Sequence, residues 1–135
     1  IYAILSAFFA ALTAILAKIG VKDINSNLAT AIRTVVILIF AWGIVYYQGT
    51  VKNLSDISRY SLLFLVLSGI TTGLSWLFYF RALQLGDVSK VTPIDKLSLV
   101  ITIFLAFILL KEKITLTIFV GALLMSLGAI LIAVG

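Results

Sequence analysis

The 135 residues are 63% hydrophobic and 11% charged, with a mean hydropathy of +1.27. A water-soluble domain carries roughly 25% charged and 45–50% apolar residues, so the solvent this chain requires is lipid. The absence of Cys and His excludes disulfides, thiol nucleophiles, most zinc sites and the imidazole proton shuttle.

The net charge of +5 sits mostly in loops and at helix ends. In a lipid-soluble chain that favours contact with anionic headgroups over nucleic acid. No phosphate-cradling glycine loop occurs, so no nucleotide motor is expected. The chain opens at Ile1 and not at Met, from which we expect residues ahead of it. The first segment has no basic n-region and no small-residue cleavage site, so it reads as a retained helix.

A bilayer core of about 30 Å is crossed by about 20 apolar residues at 1.5 Å rise. Five segments meet or approach that length, which predicts an all-α membrane protein, a bundle of five transmembrane helices in one domain over 1–135. The first helix covers about 2–19. Its alanines supply small faces, and Lys18 reaches the surface by snorkelling. Ser26 or Asn27 is the expected N-cap of the second helix, which covers about 28–47. That helix carries Arg33 with Thr34 beside it and ends in an aromatic belt of Trp42, Tyr46 and Tyr47.

After a loop in which Ser55 and Asp56 predict a short helical turn, the third helix covers about 60–83. Gly69 and Gly73 form a small-xxx-small pattern and are read as helix-packing positions. Gly73, Trp76 and Phe80 share one side at helical spacing, and Ser75 and Tyr79 add hydrogen-bonding groups. Trp76 and Tyr79 are candidates for lining a cavity, with the Trp76 ring able to hold a cation. Gly86-Asp87 marks a stop and turn.

The fourth helix is expected over about 92–110, with Pro93 in its first turn and Thr92 as cap. Its uninterrupted apolar run, Leu97 to Leu110, is 14 residues. It spans only if Ile94, Asp95 and Lys96 lie inside it, which puts both charges below the headgroups. Lys111-Glu112-Lys113 is a tight basic turn, and the fifth helix covers about 114–134. Gly121 and Ser126 are its expected packing positions.

Loop charges balance. Lys52, Arg59, Lys111 and Lys113 fall on one side, and Lys18, Lys22, Arg81 and Lys90 on the other. A balanced bias permits insertion in both directions and hence an antiparallel homodimer. Arg33 lies about five residues into its helix, roughly 8 Å deep. Asp95 and Lys96 lie similarly deep in a helix entering from the same side. Intramembrane ionisable residues mark pathways, so we read Arg33, Asp95 and Lys96 as one charged layer. Arg33 and Asp95 are expected to pair when that end is closed, and Asp95 is the candidate for proton coupling. The alternative is a static ion pair that fixes helix register. With no His, no Cys and no carboxylate pair, the chain is read as not an enzyme and as needing no cofactor or metal.

Four stretches, Tyr79-Phe-Arg-Ala-Leu-Gln-Leu-Gly-Asp87, Val91-Thr-Pro-Ile-Asp-Lys-Leu-Ser98, Leu110-Lys-Glu-Lys-Ile-Thr115 and Gly121-Ala-Leu-Leu-Met-Ser-Leu-Gly128, resemble the EamA domain, the repeat of the drug/metabolite transporter superfamily. Asn27-Leu-Ala-Thr-Ala-Ile-Arg-Thr34 fits its second helix. The resemblance covers essentially the whole chain and is not specific to a substrate. It implies one five-helix copy of a unit that most relatives carry twice, as inverted repeats around a midplane site, so a lone copy would pair head to tail. Together these readings lead us to expect a secondary transporter in the inner cell membrane. Its cargo would be a small amino acid or organic acid, moved by alternating access. Two alternatives are a non-transporting membrane subunit or assembly partner, and an exporter of small organic cations.

Overall fold

Inside a bilayer no water satisfies backbone amides and carbonyls, so apolar segments turn those bonds inward as helices. A computed structural model, which describes residues 1–135, is accordingly helical throughout. The helices are α1 (Tyr2–Gly20), α2 (Ser26–Tyr47), α3 (Arg59–Leu85), α4 (Val88–Asp95), α5 (Ser98–Leu109) and α6 (Leu116–Val134). Taking Val88–Leu109 as one interrupted segment, five stretches are long and apolar enough to cross a membrane. The chain divides into two groups of residues, 16–84 and 1–15 with 85–135, taken here in turn.

In the first group, α2 starts at Ser26 and its N-cap is Asn25, not Ser26 or Asn27. The Asn25 Oδ1 accepts from the amides of Asn27 at 2.9 Å and Leu28 at 3.2 Å. From that position the asparagine carboxamide satisfies two of the four orphan donors at once. Ser26 is buried instead, and its carbonyl accepts the Thr30 hydroxyl at 3.0 Å. At the other end of α2, Gly49 takes the left-handed conformation, φ 69°, which costs a residue without a Cβ least. A 3-10 turn over Thr50–Asp56 follows and packs back on α2, with Val51, Leu54 and Ile57 beside Trp42 and Val45.

In the second group, α4 and α5 both pack against α6. The fourth segment begins at Val88, with Asp87 at the cap position, and not at Thr92 or Pro93. Gly86-Asp87 already supplies the turn, so the helix restarts at once and Pro93 falls inside it. The segment then breaks. The Leu97 amide donates to Ile94 O at 3.0 Å, three residues back, and Leu99 and Val100 likewise bond to Lys96 and Leu97. Regular i−4 bonding resumes at Ile101. Pro93 has no donor for Ser89 O and its ring crowds that carbonyl, which weakens the turn leading into the break.

Past α5, Lys111 adopts a left-handed φ of 55° and the Glu112 amide reaches back to Ala106 O at 3.2 Å. Thr115 caps α6, accepting from the Ile118 amide at 3.3 Å.

Candidate functional site

Arg33 sits seven residues after the start of α2, about 10 Å along a membrane span. Its guanidinium carbon lies 4.1 Å from the centroid of the Trp76 ring and 5.3 Å from that of Phe80. Trp76 and Phe80 are one helical turn apart on α3, so one face of that helix presents two stacked aromatic platforms. The cation is half-buried while Phe80 is only 2% exposed. A guanidinium over an aromatic face is attracted by the ring quadrupole, worth about 0.5–2 kcal/mol depending on desolvation. Stacking uses the flat face of Arg33 and leaves its N–H edge, the fork that matches a carboxylate.

Tyr79 is half-buried next to Phe80, with the two rings 6.4 Å apart. Thr34 donates its hydroxyl to Thr30 O at 2.7 Å. This bond within the helix occupies its proton and leaves its oxygen to accept. So the structure brings Arg33 together with Trp76, and Phe80 joins them. The sequence placed Phe80 on the Trp76 side of the helix without assigning it a role. The signal for that role was its spacing from Trp76.

Asp95 is the last residue of α4, and Lys96 is its C-cap at the break. Their side chains form an ion pair at 3.6 Å, with Lys96 half-exposed and Asp95 less so. Sequence reasoning paired Arg33 with Asp95. In the structure Arg33 stacks on Trp76 and Phe80, and Asp95 pairs with Lys96.

At the packing positions, a Cβ built on Gly69, Gly73 or Gly121 meets no atom within 4 Å. Ser126 donates to Ala122 O at 2.9 Å. It also edges an open apolar groove of about 200 Å³, whose walls include Val100, Phe104 and Phe119.

Five apolar helical spans define a multi-pass helical membrane protein, and one of them carries the half-buried Arg33 guanidinium. A family model described as the EamA-like transporter family matches residues 1–134, and the chain belongs to that family. It is 50% identical over 133 residues to a Sinorhizobium protein described as an uncharacterized transporter in the cobO 3' region, covering 98% of this chain and 94% of that one. An uncharacterized protein of Methanocaldococcus jannaschii is 27% identical over 105 residues, covering 71% and 77%. No solved structure matches. The protein is thus a membrane transporter, and its bacterial relative points to the inner membrane.

Proposed function

We propose that the protein is a secondary transporter that carries a small anionic or zwitterionic metabolite, an amino acid or organic acid, by alternating access. The observation that supports this most is the Arg33 stack on Trp76 and Phe80. A fixed cation held by its flat face and set in a membrane span calls for an anion from water. A carboxylate meets the N–H edge of Arg33 with two parallel hydrogen bonds, and Trp76 and Tyr79 offer apolar surface to the rest of the solute. Asp95 and Lys96, at the break in the fourth segment, supply a second charged place.

We propose further that the working unit is an antiparallel homodimer. Balanced loop charges permit both insertions, and the open faces at Gly69, Gly73 and Gly121 suit a second helix. The chemistry is movement of a solute, with no bond made or broken.

The test is thermal-shift screening of purified protein against the standard amino acids and four-carbon dicarboxylates, then uptake of the hits into proteoliposomes. Arg33→Ala and Asp95→Ala are each expected to abolish uptake and leave assembly intact. Unchanged uptake in both variants defeats the assignment. A second reading, export of small organic cations, draws on the same stack, because a solute cation would compete with Arg33 for the Trp76 face. In that case Arg33→Ala speeds uptake of a probe such as tetramethylammonium instead of abolishing transport.

A further inference from the structure

Nearly every side chain of this chain is at least partly exposed, as expected where lipid is the surroundings. Of the eight buried residues, six come from the α1–α2 loop, the start of α2 and the last turns of α3: Val21, Ser26, Ala29, Thr30, Phe80 and Leu83. Val21 and Leu83 are essentially sealed, at 1% and 0% exposure. Their positions along the chain are informative. On α2, Ser26, Ala29 and Thr30 precede Arg33; on α3, Phe80 and Leu83 follow Trp76. The sealed layer therefore lies between the Arg33–Trp76 stack and the end of the molecule where α2 begins and α3 stops. It is one to two helical turns thick, about 5–10 Å.

A set of polar bonds closes over that layer. The Gln84 Nε2 donates to Val21 O at 2.9 Å and also to Ile24 O. Its Oε1 accepts from Arg81 Nη1 at 3.1 Å, which holds the carboxamide in place. Lys18 Nζ donates to Leu83 O. One side chain at the end of α3 thus holds the whole loop between α1 and α2.

From this arrangement we infer that the end formed by the α1–α2 loop and the last turn of α3 is a gate of the transport path, shut in this structure, with the Gln84 carboxamide as its latch. The inference rests on the alternating-access reading. A permanent clasp would be served by more apolar packing. This one is made of loop carbonyls and a surface carboxamide, and water replaces each of those bonds at little net cost when the end opens. The residues buried beneath lie on α2 and α3 between that end and Arg33, so parting the two helix ends uncovers a passage to Arg33.

The chain has no cysteine, so a single Thr30→Cys reports on the buried layer. Its labelling by a water-soluble methanethiosulfonate is measured in nanodiscs, where both faces are open to reagent. We expect slow labelling with Gln84 present and labelling about tenfold faster with Gln84→Met, which keeps the bulk and removes all three hydrogen bonds of the carboxamide. Should Gln84→Met lose its helicity or its single elution peak, Arg81→Leu frees the carboxamide instead, with about a threefold increase expected.

Equal labelling rates with and without the latch overturn the inference. In the second arm, Ile24→Cys/Gln84→Cys is bridged with dibromobimane, and uptake of the screened solute is expected to stop. Full uptake after bridging also overturns it. If the latch governs labelling while no solute is taken up by the unmodified protein, the gate stands and the transport reading falls.

Discussion

Arg33 gains a ring on its flat side and keeps a row of N–H donors at its edge. That division of labour decides how its variants should fail. Arg33→Lys keeps the charge and loses both the stack and the fork. We expect half-saturation of uptake to rise about tenfold, which corresponds to roughly 1.4 kcal/mol of binding. The maximal rate should change much less. Trp76→Ala removes the platform without touching the charge, and its expected signature is a lower melting temperature together with weaker solute-induced stabilisation. A solute-induced shift that is unchanged in Trp76→Ala would separate the ring from the site. Arg33 stood out in the sequence because a cation in an apolar run is rare. Trp76 as its partner did not, since that contact joins two helices and no spacing along one helix encodes it.

Among the elements, backbone conformation makes sharper forecasts than packing. Gly49 ends α2 with a φ of 69° and open space around it. Gly49→Ala thus meets no clash and carries only the left-handed penalty, about 1 kcal/mol, read as an earlier midpoint in denaturant titration. Lys111 pays a similar penalty in the wild-type turn, at φ 55°. Lys111→Gly relieves the strain at the cost of added freedom in the unfolded chain, and a melting temperature equal to or above the parent's is expected. The five apolar stretches were legible because a hydropathy window sums over many residues. The break at Lys96 and Leu97 was not, because it depends on which carbonyl one amide selects. Pro93 hinted at the wrong event. It looked like a helix start, whereas Gly86-Asp87 had already made the turn and the proline lies in the sixth position of α4.

For the whole molecule, an odd number of crossings puts the two termini on opposite sides. Four cations on each side leave the direction undecided by charge. We therefore expect single cysteines near either terminus to label from both faces of intact vesicles. Labelling from one face alone would remove the antiparallel dimer. Two added lysines in the turn at Lys111 should then force one orientation and lower uptake, and co-expression with an oppositely biased copy should restore it. The family and its transport role were readable from four short stretches spread over the chain, because they combine turn chemistry with apolar runs. The solute was not, because one guanidinium on an aromatic support does not distinguish one small anion from another.

The interrupted fourth segment has a bearing on how the chain is made. Its second half, α5, has 12 residues, about 18 Å of helix, too short to cross a hydrocarbon core of about 30 Å. Its first half ends in Asp95, and a charge carried to mid-bilayer opposes insertion by about 2.5–3.5 kcal/mol. Both halves pack on α6, which leaves the ribosome after them. A nascent chain stopped at Leu110 should leave α4 open to protease at the membrane surface, and one that continues to Val134 should protect it. Synthesis of α6 would then be the step that commits the charged segment to lipid.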